Sequence, residues 1–200
     1  MINGLSGTKR RIFEAAADLF ARDGYYSVSM KQVAAAVNIK AASIYNHFSS
    51  KEEILHMIYQ YFDQQMEHYA PDLEDLLKRA GTDPVMELMQ SITMVFSEED
   101  QNLMGKCMLV TSSMSRFDPV ANETISRNLL DTVSDHVRPL LHRLIELDRI
   151  EPIDVESFVL VISNYCYAAA TRFYLSENRA ISDDNFVRAM DMIYSLIREK

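Results

Sequence analysis

Between Gly24 and Lys51 the chain carries no aspartate and no glutamate over 28 residues, although its 200 residues hold 29 acids. Proportion alone would put about four acids there. The window keeps Lys31, Lys40 and Lys51, and it holds Ser43, Tyr45, Asn46 and His47. Ammonium, hydroxyl, amide and imidazole groups can meet an anionic surface through charge and hydrogen bonds, whereas a carboxylate would be repelled. Just upstream, Lys9, Arg10 and Arg11 occupy the first turn of the first expected helix. Cations there oppose the helix dipole at a cost of some tenths of a kcal/mol each, and a nearby phosphate would compensate. A basic surface turn with no partner is the plainer alternative.

The charge of the whole chain is split. Residues 1–51 hold seven Lys+Arg against three acids, Glu14, Asp18 and Asp23; the rest holds 13 against 26. This asymmetry suggests a segment made for an anionic partner on an acidic body that is not, with chance clustering as the alternative. Other constellations are thin. Glu53-Ile54-Leu55-His56 reads ExxH, half of a di-iron carboxylate site, but no second ExxH exists. His136 and His142 fall on different helix faces and read as surface or pocket-rim residues. There is no nucleophile motif and no glycine-rich phosphate loop. No catalytic residue, metal ligand or cofactor is assigned, and the chain is not read as an enzyme.

Cys107 and Cys166 lie far apart with no CxxC pairing, which suits a reducing compartment. The start, MINGLSGTKRR, has none of the apolar run that a secretion signal needs. The longest purely aliphatic run, Val159 to Ile162, is far short of a membrane span. The expectation is a cytoplasmic protein with no membrane partner.

The elements that carry these residues read as helices. Ile12, Ala15, Ala16, Leu19 and Phe20 make one stripe, stopped at Gly24. Ser29 can cap a second helix holding Val33, Ala34 and Val37. Asn38 breaks it, because Asn tolerates the left-handed conformation of a tight turn. A short helix through Ile44 and Phe48 follows. Ser50 and Glu53 form a capping box for a helix with Ile54, Ile58, Tyr61, Phe62, Met66 and Tyr69. Asp83-Pro84 opens another by cap and first-turn proline. Leu103 to Met114 is a further helix. Asp118-Pro119 opens a long one through Leu144, which Pro139 should kink. A loop, ELDRIEPID, follows. Asp154 caps a helix without charge from Ser157 to Thr171, which should be buried on every side. Ser182 caps the last. The fold class is all-α, with about nine helices and no alternating strand pattern. The expected division is a DNA-binding helix-turn-helix domain over 1–51, with the motif at about 29–48, and a bundle over 52–200.

Helix, turn, helix from Ser29 to Phe48, with Ala34, Ala35 and Ala36 small enough for close crossing, is the arrangement that places a second helix in the major groove. The stretch IFEAAADLFARDGYYSVSMKQVAAAVNIKAASIYNHFSSKEEIL resembles the DNA-binding region of the tetracycline-repressor (TetR) family of bacterial transcriptional regulators. The AAADLF stripe, the Gly24-Tyr25 stop, the capped second helix and IYNHFSSKEEIL carry the resemblance. The chain departs from the family at Asn38, Lys40 and Ala42, where the family often has glycine, serine and glycine. The resemblance implies backbone contacts to phosphate at Ser29 and Met30. It implies base-edge contacts from Lys40, Ala41 and Ser43, followed by Tyr45, Asn46 and His47. Tyr45 and Lys51 resemble phosphate anchors.

The chain also holds 12 methionines and 10 tyrosines. Met86, Met89 and Thr93 share one helix face, as do Met104, Met108 and Thr111. Such stripes serve as core or as adaptable pocket lining, and both readings stay open. A candidate small-molecule site comprises Phe62, Met66, Met89, Thr93, Phe96, Met108 and Tyr165. The last two helices, about 155–175 and 182–198, are the expected homodimer surface, as the resemblance also implies. The function so implied is a repressor released from a palindromic operator by an apolar or amphipathic effector. A helical-bundle enzyme or metal carrier, or a regulator controlled by a protein partner, are the rival readings.

Overall fold

Apolar side chains at three- and four-residue spacing make the first helix, α1 (Gly7–Asp23). Its buried stripe is Ile12, Phe13, Ala16, Ala17 and Phe20, so Phe13 and Ala17 replace the expected Ala15 and Leu19. The stripe turns toward Phe13 because that ring packs on Tyr61, with centroids 5.5 Å apart. The structure, a computed structural model, describes Leu5 and residues 7–92, 98–175 and 183–200.

Local stops and caps fall where side-chain chemistry places them. Gly24 has φ 83°, a conformation that a Cβ disfavours, and its N–H donates to the Phe20 carbonyl at 3.1 Å. A single 3₁₀ turn, Tyr25–Ser27, follows. The Ser29 hydroxyl accepts the Gln32 N–H at 3.3 Å, and the Gln32 side chain accepts the Ser29 N–H at 2.8 Å. That reciprocal box opens α2 (Met30–Ala36). Asn38 ends the motif's first helix at φ 58°. The next segment, Ala41–Asn46, is 3₁₀ rather than α. Lys40 at its N-terminus supplies no capping side chain, and tighter i→i+3 bonds such as Ser43 N–H to the Lys40 carbonyl at 2.8 Å close the turn instead.

Ser50 caps α3 (Lys51–Tyr69) by accepting the Glu53 N–H at 3.1 Å. The Glu53 carboxylate returns to the Ser49 N–H at 2.6 Å, one residue beyond the expected box. A helix that periodicity did not suggest, α4 (Leu73–Arg79), is capped by Asp72 and buries Leu76 alone. Then come α5 (Val85–Ile92) and α6 (Glu98–Met114). Asp83, expected to cap α5, instead binds Arg79 at 2.7 Å and Thr82 at 2.9 Å.

The long helix expected after Pro119 is broken into α7 (Pro119–Ile125), a π-helical stretch Ser126–Asp131 and α8 (Thr132–Glu146). The helix continues through Pro139, and the interruption lies upstream. There the Thr132 hydroxyl donates to the Arg127 carbonyl five residues back at 3.0 Å, a side chain entering the backbone ladder. Asp154 caps α9 (Val155–Leu175), accepting the Ser157 N–H at 3.1 Å. The last helix is α10 (Asp183–Tyr194); its expected cap, Ser182, lies outside the described residues. Among the described residues there are ten α-helices and no strand beyond an isolated Ile150–Glu199 bridge.

The chain packs as two units. The first combines residues 1–68 with 96–125, and α1 lies against α6, where Lys106 meets Asp18 at 2.7 Å. The second combines 69–95 with 126–200 around a core from α4, α5, α8, α9 and α10. Within it Arg149, from the expected loop, donates to the Ala80 and Asp83 carbonyls at 2.8 and 2.7 Å. Contrary to expectation, α9 is not buried on every side in this chain. Leu160 is 64% and Val161 50% exposed, and Val187 and Leu196 are also exposed.

Candidate nucleic-acid interface

The underside of the motif is apolar and closed. Val33, Ala34, Val37, Ile44 and Phe48 are buried. Of the three alanines expected at the helix crossing only Ala34 is inside; Ala35 and Ala36 are exposed, because a seven-residue helix turns one narrow face inward. Over residues 40–47, Lys40, Ala41, Ala42, Tyr45 and Asn46 are exposed, while Ser43 and His47 are half-buried. Tyr45 is a 56% exposed aromatic on an acid-free segment. On α2 and its approach, Ser29, Lys31 and Gln32 are exposed and Met30 is half-buried.

The rim cations are engaged within the chain. The Lys9 ammonium lies 4.0 Å from the Glu53 carboxylate and 4.8 Å from the Phe48 ring centre. Arg10 binds Glu14 at 2.6 Å. Arg11 donates to the Val37 carbonyl at 2.9 Å. The dipole cost of a basic first turn is thus offset by protein acceptors. Lys51, half-buried, donates to the Tyr25 and Val28 carbonyls at 3.0 and 2.9 Å and sits 4.2 Å from the Tyr25 ring centre.

The acids bordering the window are held back. Hydrogen bonds from Ser49 keep the Glu53 carboxyl below its ordinary value. Burial, then the charge of Glu52, pushes the Tyr25 hydroxyl up to about 12, so it stays a neutral donor to Glu52 at 3.3 Å. Two further exposed residues of the acid-free window are not among the expected contacts. Lys31 lies in the first turn of α2, and Tyr26, in the preceding 3₁₀ turn, is 73% exposed and edge-on to Tyr25. The acid-free window already contained both, and that was the signal available.

The candidate effector residues divide between the two units. Phe62, Met66 and Met108 are buried in the first, and Met89 is buried in the second. Met89's carbonyl accepts the Tyr194 hydroxyl at 3.1 Å, and Tyr165 is half-buried and stacked on Phe186 at 5.8 Å. Thr93 and Phe96 lie outside the described residues. A shallow groove on the second unit is lined by Ile153, Asp154, Ser157, Phe158, Val161 and Leu196.

The remaining polar motifs have local partners. Glu53 belongs to the Ser49 cap, and His56 stands 3.9 Å from Asp118. His136, expected near the surface, is half-buried between the Thr132 and Pro71 carbonyls at 2.7 and 3.0 Å; His142 is exposed. Among the described residues no three His, Cys, Asp or Glu side chains gather as a metal site, and no helix is long and apolar enough to cross a membrane.

Comparison with known proteins gives one direction. Residues 12–58 match the family described as bacterial regulatory proteins, tetR family. Over 94% of the chain and 96% of the relative, it is 24% identical to the biofilm operon icaADBC HTH-type negative transcriptional regulator IcaR of Staphylococcus epidermidis. Over 51 residues, 26% of either chain, it is 37% identical to the HTH-type transcriptional regulator UidR of Escherichia coli. Among solved structures, the ketosteroid transcriptional regulator KstR2 of Mycobacterium tuberculosis has a TM-score of 0.73 at 18% identity, covering 98% of this chain and 97% of that one. The regulator PfmR of Thermus thermophilus has a TM-score of 0.66 at 23% identity, covering 92% and 96%.

Proposed function

The chain belongs to the tetR family of bacterial regulatory proteins and is a DNA-binding transcriptional regulator, and from that premise we propose that it is a homodimeric, effector-released repressor. One observation carries the reading of its DNA surface. Residues 40–46 expose Lys40, Ala41, Tyr45 and Asn46 on a stretch without a single carboxylate, and a closed apolar underside supports it. Double-stranded DNA presents about one negative charge per 1.7 Å of axis, so this is the surface on which acids cost most. Lys40, Ala41 and Ser43 read base edges, with the Ala41 methyl suited to the thymine methyl. Tyr45, with Lys31 and Tyr26, holds phosphates and sets register without reading sequence. Asn46 and His47 lie at the far end of the same segment. Residues 1–51 carry this work, and 52–200 carry effector binding and dimerisation.

A two-fold dimer through 155–175 and 182–198 would present two motifs to half-sites roughly 34–36 Å apart. The exposed Leu160, Val161, Val187 and Leu196 support that face. The effector is apolar or amphipathic, since the body is net acidic and its methionine-rich interior adapts to shape. Phe62, Met66, Met89, Thr93, Phe96, Met108 and Tyr165 remain its proposed contacts. A coupling of about 1–3 kcal/mol would weaken DNA binding about 5–150-fold. The two free cysteines fit a cytoplasmic setting.

The test is selection of duplexes from a random-sequence pool by the full chain, repeated with apolar small molecules added. Enrichment of an inverted repeat, lost on adding one compound class, is the expected result. A pool that stays unenriched overturns the reading.

A further inference from the structure

Helix α2 is seven residues long, too short to hold its own position. Two cations from elsewhere in the first unit tie the carbonyls at its ends. Arg11, from α1, donates to the carbonyl of Val37, just before the left-handed Asn38. Lys51, from the start of α3, donates to the carbonyls of Tyr25 and Val28, and Val28 directly precedes the Ser29 cap. Lys51 is the more telling of the two. It occupies the first turn of α3, where the helix dipole disfavours a cation, and it is half-buried. Two carbonyl acceptors and the Tyr25 ring face offset both costs. Of its three N–H groups, two are already committed.

We propose that Lys51 is a positioning residue for DNA recognition: it braces the turn before α2, and so the recognition segment, instead of binding a phosphate. The inference rests on the DNA-binding reading above. Lys51 tethers α3 to a loop 23 residues earlier in the chain, and α2 packs on Ala41–Asn46. Displacing the brace therefore moves the exposed readers without removing any of them.

The two roles differ in salt dependence. A lost phosphate contact lowers the log–log salt slope by about one, whereas a misplaced surface loses affinity without that signature at its own position. The probe is a labelled duplex selected by the wild-type chain from a random-sequence pool, titrated over a range of salt. Lys51→Ala should weaken binding roughly tenfold or more, the scale of a lost charge-assisted hydrogen bond, at an unchanged slope. Lys51→Arg, whose fork can reach both carbonyls, should restore affinity. Lys31→Ala, removing an exposed cation on α2, should lower the slope by about one. Amide exchange in the DNA-free protein is the second readout, with Lys51→Met used because it keeps the stem over the Tyr25 ring. Faster exchange across residues 25–38 is expected, in a chain whose circular dichroism remains helical. A slope reduced by about one in Lys51→Ala, or unchanged exchange in Lys51→Met, overturns the proposal. A wild-type chain that selects no duplex defeats the DNA-binding reading instead, and the exchange arm still decides whether the brace exists.

Discussion

At the scale of single residues, the surface divides by partner. Arg11 and Lys51 are spent on carbonyls of the motif, while Lys40, Tyr45 and Asn46 face outward. Tyr45→Phe removes the hydroxyl proposed to meet phosphate, so affinity should fall alike on the selected duplex and on its single-base variants. Ser43→Ala removes a proposed base-edge contact, so one position should lose discrimination worth about 1–3 kcal/mol. Fluorescence anisotropy across the variant set separates the two. Ser43→Ala binding every variant more weakly by one factor would remove it from base readout. Glu53 gives a pH prediction. Its folded carboxyl sits below its ordinary value through the Ser49 hydrogen bonds, so its contribution is complete above the unfolded carboxylate range. That contribution fades as pH falls below about 4.3 toward the folded value. Glu53→Gln should therefore lower Tm at neutral pH and converge on wild type in acid. A gap that widened in acid would contradict the cap.

At the scale of elements, boundaries follow local chemistry and interruptions follow packing. Asn38, at φ 58°, ends α2 in a conformation that costs an ordinary residue roughly 1–2 kcal/mol. Asn38→Gly should leave stability near wild type, whereas Asn38→Ala should lose about 1 kcal/mol and Asn38→Val more, by urea denaturation. Equal stability of all three would show that the turn relaxes out of the left-handed region. The π stretch at Ser126–Asp131 shows the other behaviour. Asn128 and Leu129 are both buried there, and the Thr132 hydroxyl takes a backbone acceptor. A proline further along, at Pro139, leaves the assigned helix unbroken.

At the scale of the whole molecule, the second unit presents an apolar face that water meets in the single chain. Leu160, Val161, Val187 and Leu196 are each at least half exposed, on α9 and around α10. A stable dimer of the proposed kind buries on the order of 2,000 Å² or more. Leu160→Glu adds a charge where the protomer is open, so the chain should fold as before. It should fail to dimerise, because pairing would bury an unpartnered carboxylate at a cost of several kcal/mol. Light scattering should report a dimer for wild type and a monomer for the variant. A Leu160→Glu dimer of wild-type affinity would move the interface elsewhere.

The sequence by itself determined the helical fold class, the stop at Gly24, the caps at Ser29, Ser50 and Asp154, the break at Asn38 and the acid-free window. Each depends on groups within a few residues of one another: a hydroxyl and an N–H three positions on, or a φ that a side chain permits. The family resemblance over the first part of the chain is legible for the same reason. Tertiary structure alone decided which cations are spent internally, since Lys51 reaches Val28 and Arg11 reaches Val37 across 23 and 26 residues. It decided that Ala34 is inside while Ala35 and Ala36 are not, and that α9 keeps an open face. A charge count sees a lysine but not its acceptor, and periodicity sees an apolar face but not what covers it, because both are fixed by residues distant in the chain.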